Sequence, residues 1–183
     1  SGVHVVDDAI AGSDYLGTSL VLAKAIEKIK ADTGADLVVC GMASTDGGMS
    51  VVPAMLAERL GLPQVTLASV VETQGDQIRA KRDGDLATEV IGATLPVVLS
   101  VTDQTGEPRY PSFKGIMAAK KKPIDEWSLA DLGVEASEVG QGNAWTAVES
   151  YEPRPPRTAG EIVTDEGDGG SKLVEFLASK KFV

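Results

Sequence analysis

The feature that most restricts the fold of this chain is a strand–helix–strand–helix alternation over its first 63 residues. Short apolar runs at 3–6 and 36–40 alternate with segments in which apolar residues recur at helical spacing. We predict helices over about 14–31, with Ser13 as the N-cap, and over about 50–60. Because repeated strand–helix units place their strands side by side in parallel, the pattern predicts an α/β domain with a parallel sheet.

From residue 64 onward the pattern changes to an alternation of apolar and polar residues. The runs at 64–72, 77–82 and 85–92 alternate in this way, and Asp83-Gly84 is a dipeptide typical of tight hairpin turns. No helix separates these runs, so they cannot be parallel neighbours, and we predict an antiparallel hairpin extension. A further apolar run at 95–101 predicts another buried strand.

The end of the chain is acidic and interrupted by prolines. From residue 125 onward it carries twelve acids and five bases. An alternating run at 145–151 predicts a strand, and an amphipathic segment at 171–181 predicts a final helix. We therefore predict an α/β nucleotide-binding-type domain at 1–124 and an extended C-terminal arm with a terminal helix at 125–183. Such an arm either embraces a partner or is a solvated tail, and composition leaves both open.

Composition excludes several classes of function. A single cysteine and a single histidine exclude a disulfide framework and the usual metal centres. A net charge of −10 is unfavourable for binding nucleic acid or an anionic membrane. No run approaches the roughly 18 apolar residues of a transmembrane helix, and no signal peptide is recognisable, so we expect a cytoplasmic protein. His4 and Cys40 lie in apolar runs, and we interpret both as packed residues rather than catalytic groups.

A glycine-rich segment between the second predicted strand and the second predicted helix is the first candidate site. It runs GMASTDGGMS from Gly41 to Ser50, and open α/β sheets bind ligands at this carboxyl edge. Its glycines let backbone N–H groups approach an anion, and the start of the following helix favours a phosphate. Asp46 has the wrong charge for a phosphate and suits ribose hydroxyls or capping. Because neither Walker A nor GxGxxG spacing is present, a connector without a ligand is an equal alternative.

The second candidate is a basic segment, 106–122, in an otherwise acidic chain. After Glu107 it contains no acid, and its five basic residues surround Phe113, Ile116 and Met117. An exposed apolar anchor among basic neighbours is typical of a transient protein docking site. In the alternative, these apolar residues belong to the core and the lysines form the solvated face of a short helix. Residue types alone favour this alternative.

Six segments, taken in order, resemble the β subunit of electron transfer flavoprotein. They are ADLVVCGMASTD (35–46), MLAERLGLPQVTLAS (55–69), LPVVLSVTD (95–103), EPRYPSFKGIMAAKKKPI (107–124), DLGV (131–134) and PRTAGEIV (156–163). The fourth segment is the most specific. With the strand and helix pattern, the resemblance implies an α/β fold: a Rossmann-like three-layer parallel sheet with an antiparallel hairpin extension and a C-terminal arm.

The resemblance also implies that a portion of the subunit precedes this sequence. Family members begin with a further strand–helix portion, about a third of the subunit, which has no counterpart here. That portion supplies the first parallel strand, part of an AMP pocket and the few FAD contacts of this subunit. We therefore expect this chain by itself to bind neither FAD nor AMP.

Roles for the two candidate segments follow from the same resemblance. Family members pair with an α subunit that holds most of the FAD, while AMP is buried in the β subunit. The residues corresponding to the AMP segment are Gly41, Met42, Ala43, Asp46, Gly47, Gly48, Ser50, Val51 and Val52. Many relatives have Gln before Val-Gly-Pro where this chain has Val51-Val52-Pro53-Ala54, so one side-chain amide contact is lost. The partner-recognition loop corresponds to about 101–122, with Arg109, Tyr110, Phe113, Lys114, Ile116 and Met117, and Phe113 replaces the usual leucine anchor.

By resemblance, the whole protein carries electrons and turns over no substrate of its own. It accepts them through FAD from acyl-CoA and other flavin dehydrogenases, as in fatty-acid oxidation, and passes them to a membrane quinone oxidoreductase. This subunit contributes structural AMP, the recognition loop and no catalytic residue. A free-standing nucleotide-binding protein of the universal-stress type shares the core and is the main alternative, although the hairpin extension and the basic segment count against it. An interaction module without a ligand is a third possibility.

Overall fold

The computed structural model describes all residues except Glu161, which falls in the last of the resembling segments. The described residues form two compact units, residues 1–147 and residues 148–183. Among its described residues, the second unit contains one helix, α4 (Gly169–Ser179).

The first unit alternates strands and helices and then continues with consecutive strands. In chain order it contains β1 (Gly2–Val5), α1 (Tyr15–Thr33), β2 (Leu37–Cys40), α2 (Val52–Leu60), β3 (Gln64–Ala68), β4 (Val70–Gln74), β5 (Gln77–Asp83), β6 (Thr88–Thr94), β7 (Val97–Val101), α3 (Phe113–Ala119) and β8 (Ile124–Trp127). The mixed α/β architecture with an antiparallel extension is confirmed. The predicted strand at 145–151 is wrong, since these residues have no regular secondary structure. The backbone N–H of Trp145 instead donates to Asp14 at the start of α1.

Helix α1 begins and ends at residues whose chemistry suits those positions. Asp14 is its N-cap, and Oδ1 of Asp14 accepts hydrogen bonds from the amides of Leu16 (2.9 Å) and Gly17 (3.2 Å). The prediction that Ser13 caps the helix is therefore wrong by one residue. Gly34 ends the helix at φ 70°, a left-handed conformation in which glycine carries no steric penalty.

The parallel strands are divided between two sheets. Strands β2, β7 and β3 form one sheet in that order, with Val38 opposite Val98, and β1 pairs with β8 in the other. This arrangement is consistent with a Rossmann-like fold, but β1 and β2 each have one edge without a partner strand among the described residues. Because β8 pairs with β1, residues 124–127 lie in the first unit.

The alternating run at 64–72 is divided between two sheets at Ser69. Strand β3 joins the parallel sheet, and β4 begins an antiparallel sheet in the order β4-β5-β6. The register of β3 shifts between Val65 and Ala68. Leu67 in this interval has a left-handed φ of 58°, and its amide donates to Oγ of Ser100 at 2.8 Å. The hairpin predicted at Asp83-Gly84 is confirmed, since it connects β5 to β6.

Two hydrophobic clusters stabilise the first unit. One packs α1 against the segment after β8 and contains Val21, Ala25, Leu129, Leu132, Val134 and Val139. The other lies between the parallel sheet of β2, β7 and β3 and the antiparallel sheet, and contains Val65, Ala68, Ile78, Ala80, Val97 and Leu99. The glycine-rich segment follows β2 of the parallel sheet, and the basic segment follows β7.

Arg59 of α2 connects this helix to the first turns of α1. Its Nε donates to Oγ of buried Ser19 at 2.9 Å, and its Nη2 donates to the carbonyl of Leu16 at 3.0 Å. We expect Arg59→Ala to lower the free energy of unfolding by about 1–2 kcal/mol, because two hydrogen bonds from a charged donor are lost. Urea denaturation measures this change.

Lys24→Ala is a suitable control for Arg59→Ala. Lys24 forms an exposed i, i+3 ion pair with Glu27 at 2.8 Å, and exposed pairs of this kind contribute at most about 0.5 kcal/mol. Equal costs for the two substitutions would contradict the interpretation that Arg59 joins the helices.

Candidate functional site

The glycine-rich loop joins the carboxyl end of β2 to the first turn of α2. Residues 41–49 of this loop are exposed. Gly48 has φ 64° and Ser50 has φ 57°, so both residues adopt the left-handed backbone conformation before the helix begins. This conformation is uncommon for a residue other than glycine, such as Ser50, and it is enriched at ligand-binding sites.

Asp46 caps an amide of the loop itself. Its Oδ1 accepts a hydrogen bond from the backbone N–H of Gly47 at 2.7 Å. Hydrogen bonds from the Ser44 side chain and from the Gly47 amide hold the pKa of Asp46 below its ordinary value, so this carboxylate is ionised at neutral pH. This hydrogen bond orders the loop locally, and it does not cap helix α2, whose N-cap is Val51.

The start of α2 lacks a side-chain cap. Its N-cap is Val51, which makes no side-chain hydrogen bond to the helix, and Pro53 in the first turn has no N–H. The positive end of this helix dipole is therefore available to an anion that reaches the loop. The structure places all nine residues predicted for the AMP segment on this one stretch: seven lie between Gly41 and Ser50, and Val51 and Val52 lie at the helix start.

Tyr15 is a residue of this site that sequence reasoning missed. It is the first residue of α1, and its ring lies against Gly47 in the loop. The two residues are far apart in sequence and belong to different elements, so no spacing pattern indicates their contact.

The single cysteine and the single histidine lie elsewhere on the strands. Burial raises the pKa of the Cys40 thiol at the end of β2, which favours the unreactive thiol form. The interpretation of His4 as a packed residue is wrong, because His4 is exposed on β1. Among the residues that the structure describes, no group of three or more histidine, cysteine or acidic side chains is placed to hold a metal ion.

The basic segment presents apolar side chains to solvent. Tyr110 is 99% exposed and Phe113 is 79% exposed, while Ile116 and Met117 are each more than two-fifths exposed. Phe113 opens helix α3, whose N-cap Ser112 accepts a hydrogen bond from the amide of Gly115 at 3.1 Å. The structure contradicts the alternative in which these apolar residues belong to the core.

The residues just before the basic segment are hydrogen-bonded to the end of β3. The Thr105 hydroxyl lies 2.7 Å from the carbonyl of Ala68 and 2.9 Å from the carbonyl of Thr102, and the amide of Thr102 also donates to Ala68. These contacts join the end of β7 to the end of β3. The chain is therefore anchored immediately before the basic segment, while the apolar side chains of the segment are exposed.

Across the part of the chain that the structure covers, we find no helix with the length and apolar character needed to cross a bilayer.

The comparisons with known proteins agree on one family. The model of the electron transfer flavoprotein domain matches residues 1–132. An electron transfer flavoprotein subunit beta from Mycobacterium tuberculosis is 47% identical over 181 residues, which are 99% of this chain and 67% of that protein. Proteins of the same name from Thermoanaerobacterium thermosaccharolyticum and Megasphaera elsdenii are 36% and 30% identical; the matches cover 98% and 95% of this chain and 68% and 66% of those proteins. The chain therefore spans about two thirds of the length of these relatives, and it belongs to the electron transfer flavoprotein family, in which it matches the β subunits.

Proposed function

We propose that this chain forms part of the β subunit of a heterodimeric electron carrier. The observation that carries this proposal is the match to electron transfer flavoprotein β subunits along 99% of the chain. The protein would act as a redox carrier rather than as an enzyme with its own substrate. FAD, held mainly by an α subunit, would supply the electron-accepting chemistry, while the β subunit to which this chain belongs would hold AMP and recognise partners.

We propose that AMP binds at the glycine-rich loop, through Gly41, Met42, Ala43, Asp46, Gly47, Gly48, Ser50, Val51 and Val52. The local structure fits a phosphate, because the start of α2 has no side-chain cap and a Cβ at Gly48 would meet no heavy atom within 4 Å. Backbone amides near the helix start would donate to the phosphate. Asp46, which already holds the amide of Gly47, would order the loop rather than contact the anion.

We propose that residues 1–124 and residues 125–183 have different functions. In this proposal the first part carries AMP and the recognition loop, and the arm embraces the α subunit. Helix α4 supports this role, since Leu173, Val174 and Phe176 on it and Phe182 beyond it are exposed apolar side chains.

The redox partners proposed are acyl-CoA and other flavin dehydrogenases as donors and a membrane quinone oxidoreductase as acceptor, in the cytoplasm. The exposed cluster of Tyr110, Phe113, Ile116 and Met117, flanked by Arg109 and Lys114, would dock the dehydrogenase. An apolar anchor in a pocket supplies most of the binding free energy at such a surface, and the charged rim mainly accelerates association.

Cofactor content tests this function. We expect the purified 183-residue chain to be colourless, and we expect a β subunit extended to its relatives' full length to give a yellow heterodimer with an α subunit. Nucleotide released on denaturing that heterodimer should be AMP, alongside stoichiometric FAD. Absorbance and chromatography of the released material measure both.

The alternatives predict different cofactor contents. Stoichiometric flavin on this chain alone would contradict the placement of FAD on the partner. FAD in the heterodimer without AMP would contradict the structural nucleotide. A nucleotide bound without any α subunit or flavin would favour the universal-stress alternative.

A further inference from the structure

Tyr15 occupies the space that a side chain at position 47 would need. A Cβ built on Gly47 falls 2.8 Å from Cζ and 2.9 Å from Cε1 of Tyr15, and its contact with the hydroxyl oxygen is closer still. Carbon atoms pack at about 3.5–4.0 Å, so this overlap cannot be accommodated without movement of the ring or the loop. Gly47 is outside the left-handed region, unlike Gly48 at φ 64°. A side chain at position 47 would therefore have to displace the tyrosine ring or the loop, whereas the backbone conformation at this position does not call for glycine.

The backbone on either side of Tyr15 is held by contacts from other parts of the fold. Its neighbour Asp14 accepts hydrogen bonds from two amides of α1 and, through Oδ2, from the amide of Trp145 at 2.8 Å. The Trp145 hydrogen bond is the largest cause that holds the pKa of Asp14 below its ordinary value. From the other side, Arg59 of α2 donates to the carbonyl of Leu16 at 3.0 Å. The backbone that carries the ring is thus fixed independently of the loop.

The hydrogen bonds described within the loop are local. The amide of Gly48 donates to the carbonyl of Ser44 at 3.1 Å, and the amide of Gly47 donates to Asp46. Bonds between near neighbours shape a turn but do not fix its position on the rest of the fold. The ring of Tyr15 provides a contact with a distant, anchored element.

We propose that Tyr15 is a positioning residue for the nucleotide. Its ring packs on Gly47 and holds the loop in the conformation that presents backbone amides at the start of α2. The part of this inference that concerns AMP rests on the proposed function. The steric lock between Tyr15 and Gly47 is a property of this chain and can be measured without any ligand.

Hydrogen exchange of the amides at positions 47 and 48, which are hydrogen-bonded within the loop, tests the lock by millisecond to second labelling of the 183-residue chain. We expect Tyr15→Ala to accelerate exchange in the loop about tenfold or more, whereas Tyr15→Phe, which keeps the ring, should not change it. Gly47→Ala should accelerate exchange to a similar extent. In the double variant, Gly47→Ala should add little, because the ring with which it clashes is gone.

Gly142→Ala is the matched control for the glycine substitution. A Cβ at Gly142 meets no heavy atom within 4 Å, and its φ is outside the left-handed region. We expect this variant to exchange like the unmodified chain. Unchanged loop exchange in Tyr15→Ala, or an undiminished effect of Gly47→Ala in that background, would overturn the lock. Accelerated exchange throughout α1 would also overturn it, since the ring would then act on the helix and not on the loop.

Nucleotide content of the full-length heterodimer tests the positioning role. Tyr15→Ala should weaken AMP binding about tenfold, and Tyr15→Phe should retain it, with flavin content unchanged in both. AMP bound equally well by Tyr15→Ala would overturn the positioning role. Absence of AMP from the unmodified heterodimer would refute both the proposed nucleotide function and the positioning role of Tyr15. The exchange experiment would still show whether the Tyr15 ring restrains the loop.

Discussion

Phe113→Ala in the assembled heterodimer should cut electron transfer from a flavin dehydrogenase by about thirtyfold, because loss of an apolar anchor costs about 2 kcal/mol. Phe113 is 79% exposed at the first position of α3, so alanine removes almost no packing within the chain. The ring would instead enter an apolar pocket of the dehydrogenase. Dehydrogenase-coupled reduction of the flavin, followed by its absorbance, measures the effect.

Two observations distinguish a lost anchor from a damaged fold. Unfolding midpoint, flavin content and reduction by a small chemical reductant should all be unchanged in Phe113→Ala. Lys114→Ala should have a weaker effect on coupling, and that effect should shrink as salt rises, because charges at a rim act mainly on association. Intact coupling in a destabilised Phe113→Ala protein would mean that Phe113 supports the fold and not the docking.

Gly140→Ala should lower the free energy of unfolding by about 2–4 kcal/mol, since it combines backbone strain with overpacking against a carbonyl. Gly140 has φ 76°, and a Cβ there would clash with the carbonyl oxygen of Ala9. The amide of Gly140 also donates to Oγ of Ser13 at 2.8 Å, so the segment is fixed beside the start of α1. Chemical denaturation measures the loss.

Gly142→Ala is again the control, because it adds the same methyl group two residues away in open space. We expect a change within about 0.5 kcal/mol for this exposed position. A cost for Gly140→Ala no larger than that of the control would contradict the close approach between residue 140 and the turn at Ala9.

The candidate site was only partly predictable from the sequence. The loop after β2 could be located because a short apolar run, a glycine-rich stretch and a helical pattern follow one another directly. The exposure of Phe113 could not, since an apolar residue among lysines is compatible with a core or a surface position. Tyr15 gave no signal, because its role depends on a contact with a loop from a different element.

The elements that the sequence alone determined are those stabilised by neighbouring residues. Helix α1 ends at Gly34, α2 ends at Gly61, and the hairpin of β5 and β6 turns directly after Asp83, since periodicity, capping and turn chemistry act over a few residues. Strand partners are different, because a strand forms its hydrogen bonds with residues elsewhere in the chain. Only the tertiary structure decided that β1 pairs with β8 about 120 residues later, that the run at 64–72 divides between two sheets, and that Trp145 donates to Asp14 instead of joining a strand.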